Sequence, residues 1–137
     1  GAIGSAVPSI NQFTKPTSNS AKVFKTIYFD TNKHNIKNEK HLNTVAQIAS
    51  YMKKNPHVYI SVEGHCDERA SEAYNLALGT RRAESIRVAL VKHKVNPDHI
   101  FPISYGKEKP AVFGSTPESW AKNRRVEFKI YENKGTK

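Results

Sequence analysis

The side chains with the most chemical potential lie in the middle of the chain, between Gly64 and Ala83. Asn75, Leu78 and Arg82 recur at i, i+3 and i+7, which puts them on one stripe of a helix where they can line a common groove. Gly79 falls inside the same helical run, where it costs roughly 1 kcal/mol relative to Ala. Either a ligand approaching the backbone or a tight contact between helix and sheet accounts for it. Asp67 stands fifteen residues before Arg82, a separation that establishes no contact, and by itself it reads as a turn or cap carboxylate. Asp30 closes a strand-like run and reads as an Asx turn with Asn32 or as a ligand contact. Arg69 and Arg124 can add charge at a rim, while Arg124 and Arg125 read equally as ordinary surface residues of an edge strand.

Catalytic and metal chemistry find little support. Cys66 beside His65 offers a thiol and an imidazole, but neighbours on an extended segment point to opposite faces, and no third group orients them. The better reading of Cys66 is a small buried thiol. Asp67 and Glu68 alternate sides in the same way. The six histidines are scattered and form no HExxH, HxH or Cys-x-x-Cys arrangement, so no metal is expected, and no Gly-rich phosphate loop is present. No catalytic residue and no cofactor is predicted.

These residues need elements to hold them. Val23 to Phe29 is rich in β-branched and aromatic residues and reads as a first strand, ending at the turn chemistry of Asp30-Thr31-Asn32. Leu42, Val45, Ala49 and Met52 mark the apolar stripe of a helix from Asn38 to Lys54, with Asn55-Pro56 as its exit. Val58, Ile60 and Val62 alternate through a second strand until Gly64. Leu76, Ala83, Ile86 and Leu90 give the core stripe of a second helix from Ser71 to His93, capped by Ser71. Ile100 to Tyr105 is a short strand, a loop follows to Asn123, and Arg125 to Tyr131 alternates as the last strand.

The order β-α-β-α-β-β predicts an α/β (α+β) two-layer sandwich, a mixed sheet with helices on one face. The 137 residues suit one domain over 23–132, preceded by a flexible tether over 1–22 and followed by a short tail over 133–137. The tether is expected from its Pro, Ser, Asn and Thr, with only Val7, Ile10 and Phe13 as apolar anchors. Gly1 to Ser5 has no signal-peptide pattern and reads as an expression remnant. No apolar run is long enough to span a bilayer. The 22 Lys and Arg against 12 Asp and Glu give a net charge of +10, which favours polyanions without choosing among them. The single cysteine excludes an intramolecular disulfide.

The run Gly64-His65-Cys66-Asp67-Glu68-Arg69-Ala70 followed by Tyr74-Asn75-Leu76 and Arg81-Arg82-Ala83 resembles the signature of the OmpA-like peptidoglycan-binding family. Tyr28-Phe29-Asp30, Val62-Glu63-Gly64-His65, Ser104-Tyr105-Gly106 and Asn123-Arg124-Arg125 resemble its lipoprotein branch, in order, from Phe24 to Tyr131. The resemblance implies that Asp67 and Arg82 bind the zwitterionic end of diaminopimelate in the peptidoglycan stem peptide, Arg82 taking the carboxylate and Asp67 the ammonium. It implies secondary roles for Asp30, Phe29, Asn75, Leu78 and Gly79 around the groove, with Arg69 and Arg124 at its rim. It further implies a TolB-like propeller protein as periplasmic partner within the Tol-Pal system, and an N-terminal lipid in the outer membrane facing the periplasm. Cys66 stands where the family favours Ala, and Ala70 where it favours Gly.

Two other functions compete. A small nucleic-acid binder fits the charge, but no RNP-like run is present. A wall hydrolase or amidase would need a catalytic centre that the sequence does not supply.

Overall fold

Asn38 and Ser71 start helices because their side chains satisfy backbone N–H groups that no earlier turn can reach. Asn38 Oδ1 accepts from the His41 amide at 2.8 Å and Ser71 Oγ from the Tyr74 amide at 3.1 Å. The computed structural model of the chain describes residues 8–133. Its elements are α1 (Ser18–Val23), β1 (Ile27–Tyr28), α2 (Glu39–Lys54), β2 (Val58–His65), α3 (Glu72–Lys92), β3 (Ile100–Gly106), α4 (Pro117–Asn123) and β4 (Arg125–Glu132).

The four strands form one sheet in the order β1-β4-β2-β3. β2 and β3 are parallel, joined by the α3 crossover, whereas β4 runs antiparallel to both β2 and β1. Val58, Ile60 and Val62 of β2 and Val126 and Phe128 of β4 meet Val45, Ile48 and Met52 of α2 and Ala83, Ile86 and Leu90 of α3 in one buried core. The alternate residues Tyr59, Ser61, Glu63 and His65 belong to the other face. The mixed two-layer α/β arrangement is the one the pattern predicts.

α3 crosses β2 where two glycines face each other. A Cβ on Gly64 would stand 1.9 Å from the Gly79 carbonyl oxygen, and a Cβ on Gly79 would stand 2.2 Å from Ser104 Oγ. Gly79 is therefore a close-packing residue, the second of the two readings its position allows. This contact sets how deeply the next turn of α3, with Arg82, sits over the end of β2.

Several expectations are corrected. Leu42 and Leu76 are 48% and 42% exposed and lie outside the core. The inward stripe of α3 is instead Asn75, Leu78, Gly79, Arg82, Ala83, Ile86 and Leu90, so its N-terminal half buries polar residues. The first strand shrinks to Ile27–Tyr28, because α1 takes the chain up to Val23 and Phe24 turns into the core against Tyr51 and Phe128. Within the segment read as a flexible tether, the described residues are anchored to the sheet: Thr14 bridges Ile130, and Phe13 is buried against Phe101 and Tyr131. Ile10 is exposed, and Val7 and residues 134–137 lie outside the described residues. The loop before the last strand contains α4, whose Thr116 cap and first-turn Pro117 and Glu118 were a readable start signal.

Candidate functional site

The end of β2, the β1–α2 turn and the first three turns of α3 enclose a hollow of about 210 Å³. Asp67, Asn75, Leu78 and Arg82 line it together with Arg69 and Arg124, as do Thr31, Asn32, Cys66 and Ala70. Asp67 and Arg82 are thus brought to one place, although fifteen residues apart in sequence, because the chain leaves β2 and immediately folds back as α3. Three guanidinium groups against one carboxylate make the hollow electropositive.

Arg82 is fully buried and is held by backbone oxygens. Its Nε donates to Lys33 O at 2.8 Å, Nη1 to His65 O at 2.8 Å, and Nη2 to Asp30 O at 3.1 Å. Nη1 also reaches Cys66 Sγ at 3.6 Å, and the guanidinium lies 5.2 Å from the Phe29 ring centre. A guanidinium has five N–H groups, so one hydrogen on Nη2 has no assigned acceptor. No carboxylate forms an ion pair with it among the described residues. Burial lowers its pKa, yet the group stays charged in the neutral range.

Asp67 is paired more completely. The Arg69 amide and Nε donate to Oδ1 at 3.0 and 3.1 Å, Arg69 Nη2 donates to Oδ2 at 2.8 Å, and Arg124 Nη1 stands 3.7 Å from Oδ2. Burial alone would raise the carboxyl, but the Arg69 hydrogen bonds and the charges of Arg69 and Arg124 outweigh it and hold the pKa below the usual aspartate range. Arg69 is in turn laid over Trp120 at 4.1 Å, while Trp120 Nε1 donates to Glu68 Oε2 at 2.8 Å. Arg69 is therefore a direct partner of Asp67 and more than a rim charge.

The walls are also fixed. Asn75 Nδ2 donates to Arg69 O at 2.6 Å, closing the β2–α3 loop onto the helix, and Tyr74 donates its hydroxyl proton to Asn32 Oδ1 at 3.1 Å. Ala70 sits in that loop at φ +69°, the left-handed region that favours glycine, so the preference for Gly at this position has a backbone cause. Cys66 donates to Asn75 O at 3.2 Å, and burial raises its pKa. His65 turns the opposite way and stacks on Tyr105, so thiol and imidazole form no dyad.

Three expected residues take other places. The Asp30 side chain is exposed and borders a neighbouring depression with Tyr28 and His41, while its carbonyl serves Arg82. Phe29 is buried beneath Arg82, and Gly79 faces β3. Thr31, Asn32 and Tyr74 were missed; they have ordinary turn and helix identities and only the fold brings them to the rim. A larger groove of about 730 Å³ between α2 and α3, flanked by Leu42 and Val88, is also lined by Lys37, Arg81, Lys92 and Glu84 but contains neither Asp67 nor Arg82.

Residues 28–124 match the sequence profile of the OmpA family. The chain belongs to the OmpA family. Among its OmpA-family relatives, the peptidoglycan-associated lipoprotein of Legionella pneumophila is 46% identical over 93 residues, 68% of this chain and 52% of that protein. That of Agrobacterium fabrum is 39% identical over 127 residues, 92% of this chain and 68% of the relative. The chain thus spans about half the length of the Legionella relative. The crystal structure of the peptidoglycan-associated lipoprotein from Burkholderia pseudomallei superposes with a TM-score of 0.77 at 37% identity, over 82% of this chain and 94% of that one. The C-terminal domain of Helicobacter pylori MotB gives 0.70 at 25% identity, over 82% and 85%.

Proposed function

We propose that the chain binds peptidoglycan non-covalently by holding the free zwitterionic end of diaminopimelate in the hollow beside Asp67 and Arg82. The observation that carries this reading is a buried guanidinium that has no carboxylate partner among the described residues and shares a small concave site with the carboxylate of Asp67. A ligand carboxylate would meet the remaining Nη2 hydrogen of Arg82 and supply the missing countercharge, a charge-assisted contact in a desolvated place. The ligand ammonium would approach Asp67, where Arg69, half in solvent, can yield an oxygen. With three cations lining the hollow, the carboxylate should contribute more than the ammonium.

The role is binding without turnover. Cys66 is a protonated, hydrogen-bonded thiol, and the imidazole nearest in sequence serves the other face of the sheet. The names of the relatives place them at the wall as lipoproteins. By that likeness the chain works on the periplasmic face of the outer membrane, tethered by a lipid upstream of this sequence, within the Tol-Pal system and with a TolB-like propeller as partner.

Co-sedimentation with purified diaminopimelate-type sacculi tests the reading. Wild-type protein should pellet, and Asp67→Asn, folded by circular dichroism, should lose more than about tenfold in affinity. Undiminished pelleting of Asp67→Asn would count against the hollow as the binding site.

A further inference from the structure

On the sheet face away from α2 and α3, Glu63 and His65 of β2 and Glu127 of β4 place one donor atom each within 4.8 Å of one another. His65 is 2% exposed, and neither ring nitrogen has a hydrogen-bond partner among the described residues. An imidazole left so costs free energy, since a long contact to one carboxylate offsets the desolvation penalty of its buried nitrogens only in part. Its Nε2 stands 3.6 Å from Glu63 Oε1. That is beyond the roughly 3.2 Å limit of a good N–H···O hydrogen bond. It is close to the separation of two donors on one ion: bonds of about 2.0 to 2.2 Å at tetrahedral angles put neighbouring ligands about 3.4 Å apart.

The carboxylates are already aimed. Lys129 Nζ stands 2.9 Å from Glu63 Oε2, and Arg125 Nε donates to Glu127 Oε2. Each cation engages the Oε2 side of its glutamate and leaves Oε1 for another partner. Such outer contacts orient metal ligands in proteins generally. Two carboxylates balanced by two cations make the cluster neutral, so an incoming ion meets no net repulsion from its immediate neighbours.

We propose that Glu63, His65 and Glu127 bind one divalent transition-metal ion, zinc being the natural probe for one imidazole and two carboxylates, with water at the open position. The ion would take the Nε2 lone pair of neutral His65 and clamp β2 to β4. The role is structural. It does not depend on the peptidoglycan reading, because it uses the opposite face of the sheet.

The test is a zinc titration of chelator-stripped protein in competition with a chromophoric chelator, repeated with cobalt to follow the visible d–d bands of a four-coordinate ion. One zinc per chain is expected, with a rise in the melting temperature. In both His65→Gln and Glu127→Gln the affinity should fall at least about tenfold and the cobalt bands should vanish. Glu127 is partly exposed, so its variant keeps the measurement meaningful should His65→Gln unfold. No binding at millimolar zinc would overturn the proposal. So would stoichiometric binding that survives Glu127→Gln unchanged, since that ion would then sit on other histidines.

Discussion

Arg82→Ala should unfold more than it unbinds. The guanidinium is the brace between three segments, because it donates to the carbonyls of Asp30, Lys33 and His65. Hydrogen bonds to a charged group contribute about 1.5 to 3 kcal/mol each, so three of them give a gross loss of about 4 to 9 kcal/mol. Against this, the variant no longer buries a charge without a carboxylate partner, which returns several kcal/mol. The net destabilisation is then about 2 to 5 kcal/mol. With a urea dependence of about 2 kcal/mol per molar for a small domain, the unfolding midpoint should fall by about 1 to 2.5 M. Arg82→Lys should fall between, as an ammonium keeps the charge but cannot span three acceptors. Equilibrium unfolding followed by circular dichroism decides it. An unchanged midpoint in Arg82→Ala would refute the bracing role, and any loss of binding in that variant is meaningful only where the protein is folded.

Phe13→Ala should cost about 3 kcal/mol in the same assay, because Phe13 is buried against Phe101 and Tyr131; no change would restore the free tether. Ala70→Gly should raise the unfolding free energy by about 1 kcal/mol through relief of the φ +69° conformation, and a lower stability would show that the loop tolerates Ala without strain. Asp67 has a depressed carboxyl pKa in the folded state, so its contribution is present above the unfolded value near 4 and is lost as pH falls through the lower folded value. The stability difference between wild type and Asp67→Asn should therefore be flat from pH 5 to 8 and shrink below about pH 4. A difference that grows on acidification would contradict the pairing with Arg69.

α2 and α3 were legible because each carried both a cap and a period: Asn38 and Ser71 open them, and Val45, Ala49, Met52, Ala83, Ile86 and Leu90 do face the core. Leu42 and Leu76 misled because they are apolar at nearly the right phase. The true inward stripe of α3 starts with Asn75 and Arg82, polar residues whose partners are backbone carbonyls. Carbonyls are the same in every residue, so a sequence cannot announce which ones Arg82 will meet. The docking of Phe13 and Thr14 depends on Phe101 of β3 and on Ile130 and Tyr131 of β4, which come together only after the sheet has formed. At the site, the meeting of Asp67 and Arg82 follows from the β2–α3 crossover, and the likeness to a known family singled out that pair before the fold did. The close contact of Gly64 and Gly79 shows the reverse case, where a helical glycine was visible but its neighbour was not.

Calorimetric titration with two soluble stem peptides, one carrying diaminopimelate at the third position and one lysine, tests the central claim most directly. Lysine keeps a side-chain amine but lacks the second carboxylate, so it offers nothing to the unpaired charge of Arg82. At one ionic strength the lysine peptide should bind more than about tenfold more weakly, the loss expected when one side of a desolvated charge pair is removed. Equal affinities for the two peptides would contradict the assignment of that carboxylate to Arg82.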